Sequence, residues 1–249
     1  MTDRQIPPSI ELAWGLRERG TRGPKRGLTL EGIVAAGIDV AARDGLDAVS
    51  MAGVAQELGA GTMSLYRYVS SKDELLTLMV DTALGPPDSY AEPVGHRWRA
   101  GLDAWAHGVR RAYNTHRWTL KVPITSPPLG PNNVAWMERA LSAMAETPLS
   151  EAEKLSTLLL LSGFVRNHAT LTADLASGAA AAPPAATYGA ILSQLADEAT
   201  FPAVHRAIAS GELDDDDEDF EPDFEYGLAR ILDGVQALIA RKRDDRRRA

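Results

Sequence analysis

The chain holds 249 residues with 26 basic and 34 acidic side chains, a formal net charge of −8, and no cysteine. That length accommodates a small domain beside a larger one with a shared buried core. The absence of cysteine excludes disulfides and thiol chemistry and suits a reducing cytoplasm without requiring one. The longest apolar run, Leu158 to Leu161, falls far short of a bilayer span, and the polar, proline-bearing start does not read as a secretory segment. The acidic balance leaves nucleic acid open as a partner, because a binding face needs only local positive potential.

Residues 1–28 read as a basic arm. Ile10, Leu12, Trp14 and Leu16 can make a short helix; Arg17, Arg19, Arg22, Lys25 and Arg26 follow against Glu18 alone, punctuated by Gly20, Gly23 and Pro24. Such a segment is either a solvated tail or an arm that lays Arg22, Lys25 and Arg26 in a DNA minor groove, where narrow A·T tracts attract arginine. Its place directly ahead of a helix-turn-helix favours the arm.

Residues 29–84 read as that helix-turn-helix unit. Thr29 can cap a helix with an apolar stripe of Leu30, Ile33, Val34, Gly37, Ile38 and Ala41, ending near Gly45. Ser50 can cap the next, with Val54, Ala55 and Leu58 inward and Gly59 in the left-handed position that stops it. The second helix of the pair is expected over Thr62 to Val69. Leu65 and Val69 plug the core, and Thr62, Ser64, Tyr66, Arg67 and Tyr68 point outward. Two tyrosines on so short a solvated helix need a partner, which phosphate oxygens and thymine methyls supply. Ser71 with Glu74 forms a capping box for a buried helix through Leu75, Leu76, Leu78, Met79 and Val80. Lys72 in its first turn opposes the helix dipole unless an anion, such as a DNA phosphate, lies nearby.

Leu58-Gly59, Ser64-Leu65-Tyr66-Arg67-Tyr68-Val69 and Ser71-Lys72-Asp73-Glu74-Leu75-Leu76 resemble the signature of the tetracycline-repressor (TetR) family of bacterial transcription regulators, over residues 29–84. The resemblance implies phosphate contacts from Tyr66, Tyr68 and Lys72, core positions at Leu65 and Val69, and base-reading positions at Ala52, Thr62, Met63 and Ser64, with Ser50 on the same DNA-facing side. Some relatives carry a long polar side chain at the position of Ala52. Here the implied contact is to a thymine methyl and not a hydrogen bond.

Gly85-Pro86-Pro87 closes the reader, and residues 85–243 read as helical throughout, ahead of a basic tail over 244–249. Trp98, Leu102, Trp105, Val109 and Tyr113 mark one helix. After a proline-rich break, Asn132 or Asn133 can start another through Trp136, Met137, Leu141 and Met144. Ser150 and Glu153 form a second capping box, opening a helix apolar nearly all round, and a last helix carries Phe224, Leu228, Ile231, Val235 and Leu238. The resemblance implies that these two helices and their symmetry mates build a four-helix dimer seam, with Leu158, Val165, Leu228, Ile231, Val235 and Leu238 in it. The alternative is that both stripes pack within one subunit.

For a small-molecule effector, Trp105, Trp118, Trp136, Met137, Met144, Phe164, Asn167 and His168 combine apolar bulk with a few hydrogen-bonding tips, although the same residues would serve as ordinary core. His107, His116, His168 and His205 lack zinc-ligand spacing, and the acidic run from Asp214 to Asp219 lacks the pattern of a calcium loop, so no metal or cofactor is expected. Ala176 to Ala186 reads as a mobile connector.

The expectation is an all-α protein: an N-terminal three-helix helix-turn-helix domain plus a larger helical ligand-binding and dimerisation domain. Its function is that of a homodimeric, cytoplasmic repressor of a palindromic operator on double-stranded DNA, released by a small apolar or aromatic effector, with no membrane partner. The alternatives are a ligand-independent regulator or activator, and an α-helical enzyme acting on a lipid-like substrate. The last lacks any nucleophile motif, phosphate loop or metal cluster in the sequence.

Overall fold

A computed structural model describes residues 6–16, 28–89, 97–124, 127–181, 187–213 and 220–248. Among them the chain is helical with no strand. The basic segment with Arg22, Lys25 and Arg26, and the acidic run from Asp214 to Asp219, lie outside the described residues.

The first helix, α1 (Pro8–Ala13), starts on a proline whose missing N–H costs nothing there. It drops Ile10 into the core of the reader domain, and Ser9 donates to the Glu74 carboxylate. α2 (Leu30–Asp44) begins where the Thr29 hydroxyl accepts the Gly32 N–H at 3.0 Å. It buries Leu30, Ile33, Val34, Val40 and Ala41 and reaches Met79 so closely at Gly37 that a Cβ there would stand 2.7 Å from the Met79 sulfur. α3 (Met51–Glu57) is capped by Ser50 and ends before Gly59 at φ +61°.

The second helix of the pair, α4, is α-helical over Thr62–Leu65 alone, shorter than the expected run to Val69. The chain tightens after Leu65, whose carbonyl accepts both the Tyr68 and the Val69 N–H, at 2.9 and 3.0 Å. Leu65 and Val69 are fully buried, as their spacing requires. α5 (Lys72–Leu84) opens on Ser71, whose hydroxyl accepts the Glu74 N–H at 3.1 Å. The returning half of the box is displaced by one residue: the Glu74 carboxylate accepts the Ser70 N–H at 2.5 Å.

The larger domain comprises α6 (Trp98–Thr115), a 3₁₀ turn (Arg117–Lys121), α7 (Pro131–Ala143), α8 (Glu151–Ala181), the short pair α9 (Tyr188–Leu195) and α10 (Pro202–Ala209), and α11 (Glu221–Arg248). Its core holds Leu102, Trp105, Val109, Trp136, Met144, Leu161, Val165, Phe224, Leu228, Leu232 and Ile239. The stretch from Ala176 to Ala181, expected as a connector, continues α8, because consecutive alanines favour helix more than any other residue.

The two domains share more than a linker. Trp118 and Val122, from beyond Leu84, lie in the core of the reader domain. Arg166 on α8 pins that segment by donating to the Leu120 and Val122 carbonyls at 2.9 and 3.0 Å. Trp14 donates its indole N–H to the Leu129 carbonyl at 2.8 Å, so the end of α1 also touches the loop before α7.

Candidate DNA interface and effector region

The reading surface is built from four residues of α4, the turn after it and the first residue of α5. With Leu65 and Val69 inside, Met63 is 76% and Tyr66 45% exposed. Ala52, Arg67 and Lys72 are exposed, while Thr62, Ser64 and Tyr68 are half-buried, Tyr68 with its ring against the core. The side-chain tips of Thr62, Ser64, Tyr66, Arg67, Tyr68 and Lys72 make no hydrogen bond among the described residues. A solvated surface holding two phenols, two hydroxyls and two cations without internal partners is poised to exchange water for an anionic, hydrogen-bonding lattice. Ser50 differs, since its hydroxyl already accepts the Gly53 N–H at 3.0 Å.

The frame that holds this surface is polar as well as apolar. Arg43 at the end of α2 meets both oxygens of Glu57 at the end of α3, at 3.0 and 3.3 Å, and holds the Glu57 carboxyl below its ordinary range. Lys72 is the sole base in a first turn otherwise occupied by Asp73 and Glu74, both of which suit the helix dipole.

The eight expected effector residues fall into four environments. Trp105, Trp136 and Met144 are packed inside the larger core; the Trp105 indole donates to the Trp136 carbonyl at 2.9 Å, and the Trp136 indole to the Gly85 carbonyl at 3.0 Å. Phe164 and His168 gather around Phe224, with ring centroids 5.4 and 5.2 Å away. Among the described residues, neither His168 nitrogen makes a hydrogen bond of normal geometry. Burial, and then the charge of Arg110, push its pKa down, which favours the neutral ring. Met137 and Asn167 are exposed, and Trp118 belongs to the core shared with the reader.

The six residues expected in a dimer seam lie against the subunit's own core. Leu158, Val165, Leu228 and Val235 are buried in the subunit's own core, and Ile231 and Leu238 are half-buried against it. The periodicity of a helix apolar all round does not say which side faces inward. What α8 leaves outside is Leu155, Leu159 at 74% exposure, Leu160, Leu171 and Leu175.

Sequence reasoning missed Asp81. It is 4% exposed, and its carboxylate accepts the Asn133 N–H at 2.8 Å and the Asn132 N–H at 3.3 Å, capping α7 from another helix. The expected self-cap by an asparagine is therefore replaced. The one signal was an acid inside an apolar helix. His107 is likewise brought by the fold to within 3.2 Å of Glu225, beside Glu221, whose carboxylate already pairs with Arg110 at 2.6 Å.

A half-bare helix-turn-helix on a larger helical domain defines a DNA-binding regulator. Comparison with known proteins agrees. Residues 33–79 match the family described as bacterial regulatory proteins, tetR family, and residues 92–239 the tetracyclin repressor-like C-terminal domain. The HTH-type transcriptional repressor DrrR1 of Streptomyces coeruleorubidus is 36% identical over 96% of this chain and 89% of its own. The HTH-type transcriptional repressor Rv1353c of Mycobacterium tuberculosis is 27% identical over 90% and 85%. Among solved structures, the Streptomyces coelicolor TetR family protein ActR in complex with actinorhodin superposes with a TM-score of 0.69 at 30% identity, over 85% of this chain and 98% of that one. The chain belongs to the TetR family of DNA-binding transcription regulators. That is a family of regulators and not of enzymes. No described helix is long and apolar enough to cross a membrane.

Proposed function

We propose that two copies of this chain pair through the outward leucines of α8 together with α11, and set their α4 helices in successive major grooves of a palindromic operator in the cytoplasm. The observation that carries the DNA half is the unpartnered surface of Thr62, Ser64, Tyr66, Tyr68 and Lys72 around exposed Met63. Tyr66, Tyr68 and Lys72 hold phosphates, while Ala52, Thr62, Met63 and Ser64 meet base edges. Arg22, Lys25 and Arg26 add minor-groove contacts from the arm.

A small organic effector releases the operator by favouring a dimer whose reading helices are wrongly spaced; the lost DNA affinity equals the effector's preference for that state. The ActR complexes with (S)-DNPA and actinorhodin support an effector of this kind, and the Phe164, His168 and Phe224 cluster supports an aromatic one. The test is fluorescence anisotropy on DNA from upstream of the chain's own gene, against a scrambled duplex, over a series of salt concentrations. Equal affinity for both duplexes would overturn the reading.

A further inference from the structure

Between the reader and the larger domain lies a cleft of about 370 Å³, lined on one side by Gly45 and Leu46 and on the other by the Arg117–Lys121 turn and by Thr170, Ala173, Asp174 and Ser177 of α8. That volume falls in the range of about 300–1,000 Å³ typical of small-molecule sites. The cleft is separate from the Phe164, His168 and Phe224 cluster, none of which lines it.

Its wall is chemically unfinished in two respects. Trp118 closes its floor at 8% exposure, with the indole N–H turned away from solvent. Arg117 and Lys121 are exposed at the cleft, and neither is in an ion pair among the described residues. Asp174, on the α8 side, is likewise unpaired, while Leu46, Leu120 and Ala173 supply apolar wall between these charges. The wall is also braced: Arg166 holds the Leu120 and Val122 carbonyls against α8.

We infer that this cleft is a binding site for an amphipathic aromatic acid. The acid group pairs with Arg117 and Lys121, and the ring lies against Leu46, Leu120 and Ala173. A hydroxyl or amine on the ligand reaches Asp174, which selects against simple anions.

The position makes the site regulatory. Gly45 and Leu46 directly follow α2, whose last turn is tied to α3 through Arg43 and Glu57. A ligand wedged between Leu46 and α8 fixes the angle at which the helix-turn-helix leaves the larger domain, and it acts on DNA affinity through its differential binding to the two angles. This regulatory step rests on the DNA-binding reading above; occupancy of the cleft does not.

The probe is 8-anilinonaphthalene-1-sulfonate, an aromatic anion whose fluorescence reports binding, used with the full chain. Amide exchange should slow at 117–121 and 170–177 when the probe binds. The R117A/K121A double variant, altered only at exposed positions, should bind roughly tenfold more weakly, and Ala173→Trp should block the site. Unchanged probe affinity in the double variant, or protection confined to other segments, would overturn the site. Bound probe should also weaken operator affinity roughly tenfold, with DNA weakening probe binding by the same factor. Probe seated in the cleft with operator affinity unchanged would overturn the regulatory claim. A protein that shows the protection but binds no operator would instead overturn the DNA-binding reading and leave the site standing.

Discussion

The Asp81 carboxylate on α5 accepts the Asn133 main-chain N–H of α7 at 2.8 Å and its side-chain amide at 2.6 Å, so the last helix of the reader supplies the N-cap of a helix in the larger domain. Gly130 is needed beside it, since a Cβ there would collide with the Asp81 carboxyl. A capping carboxylate on a different element makes the first turn of α7 a reporter of where α5 lies. Any shift of α7 must either carry α5 along or give up these bonds.

Replacing Asp81 with Ala should therefore destabilise the chain by about 1–3 kcal/mol, because four half-buried donors of Asn132 and Asn133 lose a charged acceptor. Urea denaturation followed by circular dichroism measures this. A loss below about 1 kcal/mol would mean that water replaces the carboxylate and that the joint does not couple the domains.

On the reading surface, Tyr66→Ala and Lys72→Ala should weaken binding to matched and scrambled duplexes alike, with Lys72→Ala lowering the salt slope by about one. Thr62→Ala or Ser64→Ala should change base preference by about 1–3 kcal/mol per direct contact. Selective loss of the matched site on changing Lys72 would contradict its assignment to a phosphate.

The arm is best tested by substitution. Truncation to Arg26 would also remove Ile10 from the reader core and Ser9 from Glu74, confusing folding with binding. Changing Arg22, Lys25 and Arg26 together to Ala should flatten the salt dependence and reduce the preference for A·T-flanked sites. An unchanged salt slope would return the segment to a solvated tail.

What the sequence made legible was local. Thr29, Ser50, Ser71 and Ser150 cap where they were expected to, because a cap and its target lie within three residues. The spacing of Leu65 and Val69 puts both in the core and turns Met63, Tyr66 and Arg67 outward, while the half-burial of Thr62, Ser64 and Tyr68 depends on the surrounding helices. Asp81 was illegible because its partners are more than 50 residues away. The inner face of α8 was illegible because leucines occupy every side of it, so only the packing of α6 and α11 selects Leu158, Leu161 and Val165. The cleft was illegible because Leu46 and Ala173, distant in the chain, come to line one cavity only in the fold.

Acid should expose a joint between α8 and α11. The Ser150 N–H, then Lys242 at 2.9 Å, then the Ser150 hydroxyl hold the Glu153 carboxyl down at about 2, from an ordinary value of 4.5. A depressed carboxylate contributes stability that is fully present above about pH 4.5 and is lost as the pH falls towards 2. The stability difference between the wild type and Glu153→Gln should thus be constant above pH 5 and shrink below it, as read by urea denaturation at each pH. A difference independent of pH from 3 to 7 would show that the charge is irrelevant.

The final prediction separates the core of the subunit from the seam between subunits. Val235 is 6% exposed inside one subunit, whereas Leu159 on α8 is 74% exposed. Putting Asp at Val235 buries an unpaired charge in the fold itself, so the protein should lose its cooperative transition or become insoluble. Putting Asp at Leu159 leaves the isolated subunit untouched and places the charge at the seam, twice over, in a two-fold dimer. Sedimentation velocity should then find a folded monomer with the helix content of the wild type. Its operator affinity should fall by orders of magnitude, because the two half-sites are no longer held by one linked particle. A Leu159→Asp variant that stays dimeric would move the seam off this face of α8. One that is monomeric yet binds the palindrome as tightly as the wild type would remove dimerisation from the mechanism.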